Sequence, residues 1–205
     1  MANTQNAFGL RPKTPLHGAD WNGKIRHFYA PSTYGTALFI GDPVIITGTS
    51  NTAAVETMTG KWVVGALAEV NIATAGSGNK ITGIITGFLP VTRDSTVHGT
   101  ASTERVIEVC VDPFMVYEVQ GGATALAATT VGLDAVLKSG TGSTVTGRSG
   151  WFMDSGDTTA PAANAAYQVH IINGSNIEGN DVASAYATWD VIINIPSYAN
   201  GVAGV

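Results

Sequence analysis

A chain of 205 residues is long enough for one generous domain, and its 44% hydrophobic content can bury a real core. Only 12% of the residues are charged, against about 25% in an average soluble domain. With 25 glycines, the surface is coated with small neutral groups suited to packing against other proteins. The net charge of −5 comes without any dense basic cluster, so no nucleic-acid partner is expected.

The charge is unevenly spread. Residues 1–30 carry Arg11, Lys13, Lys24 and Arg26 against Asp20, a balance of +3, whereas residues 106–205 carry nine acids against Lys138 and Arg148, a balance of −7. A basic beginning and an acidic body fit head to tail, or onto an acidic partner. Residues 1–24 show neither helical nor strand periodicity. Pro12 and Pro15 break any helix, and Gly9, Gly18 and Gly23 loosen the backbone. Phe8, Leu10, Leu16 and Trp21 are nevertheless too apolar for a purely disordered tail. Residues 1–24 therefore read as an extended N-terminal arm, ordered where Phe8 and Trp21 find pockets on a partner or on the chain's own domain. A single β-rich domain is expected over residues 25–205.

Period-two patterns follow the arm. Ile25, His27 and Tyr29 alternate with Arg26 and Phe28. Apolar runs over 37–40 and 43–47 flank the turn Gly41-Asp42-Pro43. An alternating strand is expected over 62–70, and a hairpin loop over 75–79. Gly83 and Gly87 share one face of a strand over 81–91, where they mark bends or close backbone approach. A β-prone run over 106–120 is interrupted at Asp112-Pro113, because proline cannot donate to a central ladder. The Ala-rich stretch 123–137 has room for a helical turn. Residues 140–150 read as a loop or edge strand. Clean alternation returns at 167–171 and 189–195, joined by a polar connection over 173–188. Roughly eight to ten short strands without an amphipathic helix predict an all-β fold, an antiparallel β-sandwich, jelly roll or β-barrel.

Chemistry-bearing motifs fail on spacing. Residues 73–80 lack the phosphate-loop order, because Asn79 separates Gly78 from Lys80 and the segment joins two strands. No Gly-x-Ser-x-Gly elbow occurs; 147–150 comes nearest. His17, His27, His98 and His170 show no metal-type spacing. Asp154, Asp157 and Asp181 read as turn formers. Cys110, between Val109 and Val111, reads as a buried small hydrophobe. No apolar run approaches the length of a membrane span. The chain is thus expected to be non-enzymatic, without cofactor, metal or membrane partner.

Four landmarks in order resemble a group of tailed-bacteriophage virion proteins. They are Asn6-Ala7-Phe8-Gly9-Leu10-Arg11-Pro12, Gly41-Asp42-Pro43-Val44, Gly147-Arg148-Ser149-Gly150, and the ending from Ala185 through Trp189-Asp190 to Asn194. The group looks like head decoration, or cement, proteins. The resemblance implies a β-rich protein, often trimeric, on the outer capsid surface of the virion after synthesis in the bacterial host cytoplasm. It implies the major capsid protein and further copies of the chain itself, a homotrimer, as partners. The arm residues Phe8, Leu10, Arg11, Lys13, Trp21 and Arg26 are the expected capsid-docking set, and deleting residues 2–22 is expected to leave a folded domain that no longer binds. The alternative is a fibre or host-recognition protein in which Trp62, Trp151, Tyr34 and Tyr186 stack on sugars.

Overall fold

In a computed structural model that describes residues 3–18 and 21–199, the chain opens with strand β1 (Leu10–Pro15). Strands β2 (Ile25–Ala30), β3 (Pro43–Ser50), β6 (Ala68–Ile72), β7 (Gly83–Phe88) and β8 (Arg105–Cys110) close a barrel, with the two-residue strands β4 (Val55–Glu56) and β5 (Lys61–Trp62) forming a hairpin between β3 and β6. The second half adds β9 (Met115–Gln120), the short strands β10 (Asp134–Ala135), β11 (Leu137–Lys138) and β12 (Phe152–Met153), and finally β13 (Val169–Gly174) and β14 (Thr188–Ile193). The described residues contain a single 3₁₀ turn, Ala128–Thr130, in the Ala-rich stretch. The fold is all-β, as the alternation predicts, and no helix among the described residues is long and apolar enough to cross a membrane.

The barrel order is β2-β6-β3-β7-β8, antiparallel except where β2 meets β6 in parallel. Phe28, Leu38, Val44, Val70, Ile85, Ile107 and Val109 fill it. An antiparallel sheet, β1-β9-β14-β13-β10, packs beside it. The inner face of that sheet carries Leu10, Met115, Tyr117, Val119, Trp189 and Val191, and these meet Ile81, Ile84 and Cys110 from the barrel wall. Successive residues of a strand point to opposite faces. Ile85 and Val109 thus fill the barrel while their neighbours Ile84 and Cys110 fill the second core. The interruption at Asp112-Pro113 is the corner where the chain leaves the barrel for the sheet.

Three expectations need correction. The first concerns the arm over 1–24, whose residues 1, 2, 19 and 20 lie outside the described set. Leu10–Pro15 is no separate arm but the edge strand of the domain's own sheet, in register with β9 from Leu10↔Val119 to Pro15↔Met115. Edge position is what lets Pro12 and Pro15 sit in a strand, since their missing donors cost the ladder nothing on the open side. Leu10, 1% exposed, is a core residue, so deleting residues 2–22 removes a strand and a core side chain. The second concerns 62–70, which is broken over 63–67 rather than a continuous strand. Asn51 accepts from Leu67 N and donates to Ala53 O and Val63 O, folding the chain back on itself and leaving Val63 and Val64 exposed. The third concerns 75–79. That loop is not a hairpin, because β3 lies between β6 and β7.

Candidate functional site

The four landmarks lie far apart in sequence, and the fold gathers them around the first strand. Gly9 N donates to Trp151 O at 3.1 Å and Leu10 N to Gly41 O at 3.0 Å. Ile40 N donates to Gly147 O and Ser149 N to Ile40 O, each at 2.8 Å, so the 147–150 loop is laced to the turn at Gly41. Upstream, Asn3 Nδ2 donates to Ala185 O, while Gln120 Nε2 donates to both Thr4 O and Tyr186 O. The packing at this junction is backbone against backbone. Gly9 (φ 75°) and Gly41 (φ 97°) both occupy the left-handed region. A Cβ on Gly9 would overlap Gly41 O and the Ser149 side chain, and one on Gly41 would overlap Phe8 O. Only glycine meets both demands.

Under this junction lies Asp42, 1% exposed. It accepts from Phe39 N at 2.8 Å. Burial raises its carboxyl to about 6, and hydrogen bonds from Ser149 and the Phe39 backbone only partly oppose that rise. The acid of the Gly41-Asp42-Pro43 turn is therefore a buried tie between the turn and the 147–150 loop.

The junction encloses a pocket of about 270 Å³ with apolar walls from Phe8, Leu10, Pro12, Trp21, Ile40 and Ile85. Two guanidinium groups edge it. Arg11 lies 5.1 Å from the centroid of the Phe8 ring and pairs through Nε and Nη2 with Glu118. Arg148 is exposed and makes no side-chain hydrogen bond or ion pair among the described residues. Four of the six expected docking residues, Phe8, Leu10, Arg11 and Trp21, thus share one concavity instead of projecting from a free arm.

Lys13 and Arg26 lie outside it. Lys13 Nζ sits 3.0 Å from Asp190 Oδ2 and 3.3 Å from Glu118 Oε1. Registers Arg11↔Glu118, Glu118↔Asp190 and Asp190↔Asn173 make a polar ladder across four strands. Burial alone would raise the Glu118 carboxyl, but hydrogen bonds from Arg11 and Ser175 and the Arg11 charge outweigh it and hold it below the usual carboxylate range. Lys13 is lowered by its own burial, yet raised on balance by its hydrogen bonds and charge pairing with Asp190 and Glu118. Arg26 is exposed on β2 and lines no part of the pocket.

Sequence reasoning missed Arg148 as a pocket residue and Asp42 as the buried tie, because neither position shows which distant segments it will meet. The 147–150 motif was the available signal for both. It also missed the His170 Nδ1–Asp134 Oδ1 contact of 2.7 Å, a cross-strand pair that fixes the short strand β10 onto β13. Asp154 accepts from the backbone N–H groups of Gly156, Asp157, Thr158 and Thr159, a turn-forming role. Cys110 is fully buried, and burial pushes its thiol up. Trp151, named for sugar stacking, is 2% exposed and belongs to the core. No family model, curated protein or solved structure matches the chain.

Proposed function

We propose that this protein is a structural component of a tailed-phage head, a decoration protein that binds the outer surface of the major capsid protein lattice as a homotrimer. The observation that carries the reading is the convergence of three of the four resemblance motifs, those at 6–12, 41–44 and 147–150, on one apolar, arginine-edged pocket. Trp and Arg are the residue types that most often dominate interface energies. The pocket fits an apolar side chain of the shell protein flanked by a carboxylate, which Arg148 is free to meet. Three such contacts on one trimer act on one lattice, so each later contact is effectively intramolecular and modest single affinities become firm.

The test uses shells assembled from the major capsid protein and lacking this chain. Wild-type protein is expected to co-sediment with them, whereas Trp21→Ala and Arg148→Glu each lower occupancy at least about tenfold, the equivalent of about 1.4 kcal/mol. Wild-type protein that stays in the supernatant would remove the capsid reading. Variants that bind as well as wild type would remove the pocket from it. A monomeric mass in light scattering would remove the trimer.

A further inference from the structure

On the barrel, away from the motif pocket, a second site is defined by an unpaired buried cation. Arg105 opens β8 and is 5% exposed. Its guanidinium has five N–H donors. Among the described residues it makes one side-chain hydrogen bond, Nη2 to Thr96 Oγ1 at 3.0 Å, and its buried Nε has no partner. No ion pair among the described residues involves it. A buried charge without a counter-ion is among the costliest features a fold can retain.

The surroundings are hydroxyl-rich. Arg105 lines an open cleft of about 390 Å³ together with Thr92, Ser95, Thr96, Thr100 and Thr103. Thr96 donates to His98 O at 2.7 Å, so its oxygen is left to accept from Arg105. Thr100 lies 3.1 Å from that same oxygen and is the donor of the pair, because the Thr96 proton is already committed. Two carboxylates also line the cleft, and neither neutralises the cation. Glu104 is exposed and accepts from the Tyr29 hydroxyl at 2.7 Å, and Asp94 is exposed. In water their field is screened, while the buried guanidinium keeps most of its own.

We propose that this cleft binds a small oxyanion, a phosphate or carboxylate group held by the Arg105 guanidinium and by the Thr92 and Ser95 hydroxyls; Ser95 Oγ accepts from Val91 N and Thr92 N, and no group among the described residues takes its proton. The site does not depend on capsid docking. Such an anion supplies the missing counter-charge and accepts the donors that the protein leaves unmet.

The probes are inorganic phosphate and acetate added to the full-length protein. Either is expected to raise the melting temperature saturably, by about 4 °C or more near saturation, and phosphate binding is expected to broaden its ³¹P resonance. Arg105→Met removes the charge and keeps the length of the side chain. It is expected to melt higher than wild type without anion and to lose the saturable response. Thr92→Val with Ser95→Ala leaves the arginine in place and is expected to weaken binding at least about tenfold, which keeps the idea testable if Arg105→Met does not fold. A wild type that responds to neither probe overturns the proposal. So does an equal response of wild type and both variants, which is the general stabilisation that a kosmotropic anion such as phosphate gives any protein by exclusion from its surface.

Discussion

Single residues at the junction have consequences that differ in sign. Gly9 combines a left-handed backbone with contact against Gly41 O and Ser149. Gly9→Ala is expected to cost about 3 kcal/mol, from strain plus displacement of the 147–150 loop, measurable by urea unfolding. Asp42 acts through pH. Its folded value, about 6, lies above its ordinary 3.8, so its contribution to stability is fully present below pH ~3.8 and is lost as pH rises through about 6. The difference amounts to about 3 kcal/mol between acid and neutral solution. Asp42→Asn is expected to remove that decline, and unfolding curves between pH 4 and 8 that keep it would place the titration elsewhere. Glu118 runs the other way. Held below its ordinary range, it contributes above that range, and the contribution is lost as pH falls through its lowered value.

At the scale of elements, β1 is the segment these groups control. Its backbone pairs with β9 on one side only, and its side chains Arg11 and Lys13 reach the buried carboxylates of Glu118 and Asp190. Acidification below the ordinary carboxylate range is expected to release β1 before the barrel opens. Hydrogen exchange of residues 10–15 should accelerate first, while β3 and β7 stay protected. Glu118→Gln should speed the same exchange at neutral pH by about 2 kcal/mol of lost charged hydrogen bonding. Exchange that rises uniformly over the chain would show that β1 has no independent opening. The element also marks what was legible in the sequence. Period-two alternation gave β2 and β14 to within two residues and located β13 with its start two and its end three residues early, because each has one face on a core. It failed at β1, where Pro12, Pro15 and a bulge at Lys13 hide the alternation. It failed at 63–67 as well, where the alternation is genuine but Asn51 overrides it. The apolar and basic residues that line the pocket were visible one by one. Their meeting was not, since it depends on the turn at Gly41 and on the loop 147–150, which stands more than 100 residues further on and whose own composition is only Gly, Ser and one Arg.

For the whole molecule, the wall of β7 and β8 serves two cores at once. Ile85 faces the barrel and its neighbour Ile84 faces the sheet. Barrel and sheet are therefore expected to unfold together. Ile84→Ala and Ile85→Ala should each cost about 2–5 kcal/mol and move one shared calorimetric transition. A transition that splits, with each substitution moving only one part, would show two independent lobes. The pairing of Leu10 with Val119 has a further consequence, in the order of synthesis. Strand β1, made before the barrel strands, finds its partner only after every one of them has been translated, a delay of about 5–20 s at about 5–20 residues per second. During that interval the nascent chain can close its barrel while Leu10–Pro15 hangs without a ladder, its prolines and Lys13 being the features that blunt a bare edge. A neighbouring nascent chain presents the same β9 edge, so crowded polysomes favour exchanged first strands, and slower translation through β9 lengthens the exposure.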